Sequence, residues 1–233
     1  MTTTLFQTLG TATTLVGIIV TAGSANAASL TKTASTSLVI TDIIQSIGIE
    51  QFNSSLGTLQ SVTVDFTGNI QGDAGFENRS PNPAQITVTL GGNLSLALNN
   101  QSLLTLNPQS VTNYQAAAYD NNNDFGGTSG QTILGLMASQ SGIYTSTDSQ
   151  LLPSFIGNGN VNFLFSGFAN SIITGSGNIS SFVDTLAQAN IQVTYDYEPV
   201  QSVPEASVVW GIGLVAGISL LSQRQKSGLK TSN

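Results

Sequence analysis

A chain of 233 residues, 40% hydrophobic and only 7% charged, has room for one ordinary domain plus flanking segments, and its charge content lies far below the roughly 25% of an average soluble domain. Residues 28–203 hold two basic side chains, Lys32 and Arg79, against eleven acidic ones, a net −9, so no basic patch for nucleic acid can be assembled. With no cysteine and no histidine, disulfides, thiolate zinc sites, haem attachment and Ser–His or Cys–His nucleophile pairs are excluded.

In chain order, the first element is an apolar run from Leu15 to Ala22 followed by Gly23-Ser24-Ala25-Asn26-Ala27. Ala25 and Ala27 form a small-x-small cleavage site, because signal peptidase admits only small side chains at those two positions. No Lys or Arg precedes the run, so the terminal amine supplies the only positive charge. The competing reading is a buried N-terminal helix. The change to Ser/Thr-rich sequence straight after Ala27 favours a signal peptide over 1–27.

The middle of the chain alternates apolar and polar residues, the pattern of half-buried strands whose successive side chains point to opposite faces. Val62, Val64 and Phe66 alternate with Ser61, Thr63, Asp65 and Thr67; Ile86, Val88 and Leu90 alternate with Gln85, Thr87 and Thr89. Leu94, Leu96 and Leu98 follow Gly91-Gly92-Asn93, which reads as a hairpin connection. Val161, Phe163 and Phe165 follow the turn Gly157-Asn158-Gly159-Asn160, and Ile191, Val193, Tyr195 and Tyr197 form the last strong strand. Weaker strands are predicted near Leu38–Ile40, Ile70–Asn78, Leu103–Leu106, Ile143–Thr145 and Ile172–Thr174. Ser180–Ala189 reads as one or two helical turns. About nine or ten short strands joined by Gly/Asn turns predict an all-β fold, a single antiparallel β-sandwich over 28–197. Residues 198–203 read as an extended linker.

The C-terminal segment begins with Ser202-Val203-Pro204-Glu205-Ala206-Ser207. An apolar stretch from Val208 to Leu221 follows, then Arg224, Lys226 and Lys230. The stretch is shorter than the ~20 residues of a comfortable bilayer span. Three of the five basic residues lie just beyond it, which by the positive-inside rule keeps the tail end cytoplasmic and the domain outside. Gly211-Ile-Gly213-Leu-Val-Ala216 matches a dinucleotide-binding pattern but lacks the strand–turn–helix context that pattern needs. Gly213 and Gly217 have the spacing of a helix-packing motif, a common feature of such segments.

Together, Pro204-Glu205, the short hydrophobic segment and the basic end resemble the PEP-CTERM sorting signal, over 204–233. Ala206 stands where the commonest form of that motif has a second proline. The resemblance implies recognition by an exosortase in the inner membrane, removal of the helix, and release or re-anchoring. It also implies a transient inner-membrane tether followed by a cell-surface or extracellular location. The competing reading is a permanent single-span anchor.

A second resemblance rests on Phe52-Asn-Ser-Ser-Leu56-Gly57-Thr58-Leu59, Tyr119-Asp120 and Asp124-Phe125-Gly126-Gly127-Thr128-Ser129-Gly130. Gly157-Asn158-Gly159-Asn160-Val161, Thr174-Gly175-Ser176-Gly177-Asn178 and Val193-Thr194-Tyr195-Asp196-Tyr197 complete it. In this order they are similar to the choice-of-anchor E domain, over roughly Leu38 to Tyr197. That implies surface export and one all-β domain, and no particular activity.

Three candidate sites follow from residue type and spacing. Asp120, Asn122 and Asp124 place carboxylate and amide oxygens at alternate positions, the donor type of a Ca²⁺ site. The loop is not an EF-hand, since Gly126 is one place late and position twelve is Gln131; the plainer reading is a self-capping Asx turn. Tyr114, Tyr119, Phe125 and Tyr144 lie in or beside loops, where rings can stack on a sugar. The pairs Asp73/Glu77 and Asp196/Glu198 are the only acid–base apparatus, and glycosidases need two carboxyls roughly 5–9.5 Å apart across a cleft.

The leading reading is a non-enzymatic, exported structural or adhesive protein, processed by signal peptidase and exosortase and using no cofactor. The alternatives are a carbohydrate-binding module for extracellular polysaccharide and an acid-pair glycoside hydrolase.

Overall fold

The computed structural model describes residues 17–19 and 27–200. The predicted signal peptide, apart from Gly17–Ile19 and Ala27, and the whole sorting tail with Pro204, Glu205 and the Val208–Leu221 stretch lie outside the described residues. Among those described, no helix is long and apolar enough to cross a membrane.

The described residues are all-β, and their two antiparallel sheets pack together as a β-sandwich. Twelve strands run in the order β1 (Gly17–Ile19), β2 (Ala28–Ser35), β3 (Val39–Ile40), β4 (Ile43–Glu50), β5 (Gly57–Asn78), β6 (Ala84–Leu98), β7 (Gln101–Leu106), β8 (Gln109–Ala116), β9 (Gly130–Ser146), β10 (Asn160–Ala169), β11 (Ile172–Gly175) and β12 (Ile179–Pro199). Sheet one has the order β1-β2-β12-β5-β9, with β3 also on β12; sheet two has the order β11-β6-β10-β4, with β7 and β8 on β6.

The alternation predicted for Val62–Phe66 holds through much of β5, where Val62, Val64, Phe66 and Ile70 are buried and the intervening residues are half-exposed. Its buried side chains meet Leu94, Leu96, Phe163 and Phe165 of sheet two in one core. Phe66 and Phe165 pack edge-to-face at 6.1 Å. Aromatic rings bury large areas, and this pair joins the two sheets within the main core.

Three local expectations are corrected. Gly91-Gly92-Asn93 is not a hairpin: β6 runs straight through it from Ala84 to Leu98. Instead both partners break there. Pro108 separates β7 from β8, with Gly92 N donating to Pro108 O, and Asn170-Ser171 separate β10 from β11, with Asn170 N donating to Gly91 O. Glycine is needed at 92 for room, since a Cβ would sit 2.6 Å from Ile70 Cδ1 and 3.1 Å from Phe168 O. Ser180–Ala189 is strand, not helix, because Val183, Thr185, Ala187 and Ala189 turn inward at a period of two. Ile70–Asn78 is the second half of the long β5 rather than a separate strand.

β12 continues through Glu198 and Pro199, which pair with Thr58 and Gly57. Tyr195 O–H donates to Glu50 O at 2.8 Å, tying sheet one to sheet two. Lys32, facing inward from β2, bridges to Glu50 of β4 at 2.5 Å, so one of the domain's two cations is committed between the sheets.

Candidate functional site

The outer face of sheet one carries a ladder of short polar side chains in register across neighbouring strands. Thr31, Thr194, Thr63 and Thr145 form one row over β2, β12, β5 and β9. The next rows are Thr33, Gln192, Asp65 and Ile143, then Ser35, Asn190, Thr67 and Ser141, then Gln188, Asn69 and Ser139. Hydrogen bonds link neighbours within rows: Thr63 and Thr145 hydroxyls at 3.1 Å, Thr67 and Ser141 at 2.7 Å, and Ser139 Oγ donating to Asn69 Oδ1 at 2.7 Å. At one end Ser29 and Ser61 both donate to Asp196 at 2.9 Å.

Such cross-strand bonds restrain the side chains they link, so those parts of the face are ordered before it meets a partner. It presents hydroxyls, amides and carboxylates with Ile143 and Met137 exposed among them, and the one Lys or Arg on its strands, Lys32, points inward. Shallow depressions lie along it, one lined by Asn69, Gln71, Met137 and Gln188. The alternation that marked the strands also marked these residues as outward. What it could not give is the register that aligns four threonines.

At the other end of this face, the segment from Asp120 to Ser129 folds back over β5, β9 and β12. Its base is pinned by Asn78, which is fully buried. The Asn78 side-chain amide donates to Ala117 O at 2.7 Å and Asn82 O at 2.9 Å, while its Oδ1 accepts from Ser80 N. Thr132 Oγ1 donates to Phe125 O at 3.0 Å. The Phe125 ring meets Phe182 edge-to-face at 5.1 Å, and Phe182 in turn covers Gly75, where any Cβ would collide with it. This packing holds Phe125 at a φ of 54°, a conformation rare for a bulky residue.

Beneath the loop lies Glu77, 0% exposed, with neither carboxylate oxygen hydrogen-bonded. An ionised carboxylate in such a place costs several kcal/mol unless something partners it.

The structure places the sequence-predicted residues as follows. Asp120, Asn122 and Asp124 form a self-capped turn: Asn122 N donates to Asp120 Oδ1 at 2.9 Å, Gly126 N to Asp124 Oδ1 at 3.0 Å, and Asn122 Nδ2 to Asp124 Oδ2 at 2.5 Å. Among the described residues no three His, Cys, Asp or Glu side chains converge as a ready-made metal cluster.

The four aromatic candidates are not brought together. Tyr114 packs on Phe76 at 5.5 Å beside the smaller core cluster, and Tyr144 packs against the main core. Tyr119 is half-buried with its N–H on Ser80 O, and Phe125 lies on Phe182. Asp73 and Glu77 share the outer face of β5, but Asp73 is exposed and accepts from Gly135 N at 2.8 Å, while Glu77 is covered. Asp196 is taken up by two serines and Glu198 is exposed. Glu77 and Asn78 were not singled out as buried, because their covering comes from a loop some forty residues further along the chain.

Burial pushes the Tyr195 hydroxyl well above the usual phenol value, and the Glu50 charge adds to this.

No protein-family model matches the chain, and no curated protein matches it. Among solved structures it is similar to a chain of the infectious bursal disease virus Gx strain, at 14% identity and a TM-score of 0.13, with 86% of this chain and 50% of that one covered. A chain of the T13 viral particle of the same virus gives 12% identity and a TM-score of 0.14, with 86% and 48% covered. The chain thus spans about half the length of these solved chains, and likenesses this slight carry no argument about fold or function.

Proposed function

We propose that this chain is an exported protein of the cell surface or extracellular matrix, sorted by an exosortase and non-enzymatic, with a structural or adhesive role. The observation that supports the adhesive part is the ordered polar ladder on the outer face of sheet one. A broad face with several cross-strand hydroxyl and amide bonds suits contact with an extended partner better than turnover of a small one. The export part rests on Ala25 and Ala27, on Pro204-Glu205 and on the basic residues Arg224, Lys226 and Lys230. Cleavage after Ala27 would also remove β1 and free the edge of β2 at Ser29–Thr31.

The chemistry of the face favours extracellular polysaccharide as the partner. Its hydroxyls, amides and carboxylates both donate to and accept from a polyhydroxylated chain, and its lack of cations disfavours phosphate-rich ligands. This reading moves the sugar contact away from Tyr114, Tyr119, Phe125 and Tyr144 and onto Thr63, Thr67, Asn69, Asn190 and Gln192.

Retention of the protein on a panel of neutral and acidic polysaccharides tests it. The wild type is expected to bind at least one, and Asn190→Ala with Gln192→Ala to bind at least tenfold more weakly with unchanged circular dichroism. Equal retention of wild type and variant would remove the face from the interaction. No retention on any polysaccharide would remove the partner.

A further inference from the structure

We infer that Glu77 is the buried anchor of a calcium site closed by the Asp120–Ser129 loop. Glu77 lies on the outer face of β5 opposite Gly130 of β9 and Ser180 of β12. Its Oε2 lies against the point where a Cβ on Gly130 would sit and would clash with it, and Gly126 N lies 2.8 Å from that same point. The carboxylate is therefore aimed into the turn that Gly130 N closes by donating to Gly126 O at 2.9 Å.

Two further carboxylates border glycines of the same loop. Asp124 Oδ1 is 3.0 Å from Gly126 N, and Asp120 Oδ2 is 2.9 Å from where a Gly127 Cβ would sit. Glu77, Asp124 and Asp120 thus each border a different glycine of one loop, Gly130, Gly126 and Gly127, without forming a ready-made three-acid cluster. The nearest basic residue in sequence, Arg79, is exposed, and the only ion pair among the described residues is Lys32–Glu50, between other strands.

A hard cation would partner both Glu77 oxygens, which no described residue hydrogen-bonds. Ca²⁺ takes six to eight oxygens in flexible geometry and accepts backbone carbonyls and hydroxyls as readily as carboxylates. Glu77 supplies the buried ligand and Asp120 and Asp124 the loop ligands, and Ser129 Oγ, which accepts from Asp120 N at 3.4 Å, belongs to the same loop. Binding exchanges the bonds that Asp120 and Asp124 make to the loop's own N–H groups for bonds to the ion, and so fastens the loop and Phe125 onto Phe182.

The test is calorimetric titration of the purified full chain with Ca²⁺ and with Mg²⁺, together with melting in Ca²⁺ and in chelator. The wild type is expected to bind one Ca²⁺ in preference to Mg²⁺. Mass action predicts a melting temperature higher by roughly 5–10 °C at a free Ca²⁺ concentration about 100 times Kd, lost again on chelation. Glu77→Gln, which keeps the shape and removes the charge, should weaken binding at least tenfold and abolish the thermal response. Asp120→Asn should weaken binding while leaving some response. A wild type that neither binds Ca²⁺ nor responds to chelator overturns the site. So does a folded Glu77→Gln variant that binds as tightly as the wild type, since the ion would then sit elsewhere.

Discussion

Replacing Tyr195 by Phe removes one hydroxyl, and its effect should reverse sign with pH. At neutral pH the hydroxyl donates to Glu50 O at 2.8 Å between the two sheets, with Tyr195 0% exposed. Losing that bond and leaving a carbonyl unpartnered costs about 1–2 kcal/mol. The alkaline limb works the other way. Burial, with the Glu50 charge behind it, holds the folded Tyr195 pKa well above its unfolded value, which is about 10.

Below the unfolded value both states are protonated and the tyrosine's contribution is complete. Above it the unfolded chain sheds a proton that the folded chain keeps, so wild-type stability falls by about 1.4 kcal/mol per pH unit through this group. The variant has no such group, and every other titration is shared and cancels in the difference. The gap between the two proteins should therefore hold steady up to about pH 10, close near pH 11, and then invert. Urea unfolding of both proteins at pH 7, 9, 10, 11 and 11.5 measures it. A gap that stays constant through pH 11.5 would show that Tyr195 ionises alike in both states and is not held between the sheets.

Other outcomes follow from the same packing. Gly92→Val forces a Cβ against Ile70 and Phe168 O and should cost about 1–3 kcal/mol in urea melts. A hairpin glycine would instead show its cost through a left-handed φ, which Gly92 does not have. The Lys32–Glu50 pair should respond asymmetrically, because the Lys32 side chain is 11% exposed and that of Glu50 55%. Glu50→Gln leaves a buried ammonium unpaired and should cost about 3 kcal/mol, whereas Lys32→Met fills the same space with apolar atoms and should stay within about 1 kcal/mol. Equal costs would place the lysine in water.

The architecture was readable wherever inward positions carried Val, Ile, Leu or Phe, as at Val62–Phe66, Ile86–Leu90 and Ile191–Tyr195. It was not readable in the first half of β12, where the inward residues are Val183, Thr185, Ala187 and Ala189, too small to stand out from their neighbours. β9 was hidden for a different reason. Leu134 and Met137 point to solvent, and an extra residue near Gly135, at a φ of 69°, breaks the alternation. Gly91-Gly92 carried the right composition for a turn, but what fixes glycine there is the approach of Ile70 from the opposite sheet, which only tertiary packing supplies. The candidate sites divide the same way. The Asp120–Asp124 loop was visible as oxygen donors at alternate positions, while Glu77 looked like a surface acid until a distant loop covered it.

The proposed export and trimming at both ends are tested by the intact mass of the protein from its native host, taken by cell fraction. The account predicts a species beginning after Ala27, lacking everything beyond the Pro204-Glu205 region, and recovered outside the inner membrane. A species that keeps Val208–Leu221 and stays in the inner membrane would contradict exosortase sorting and make the chain a plain anchored protein.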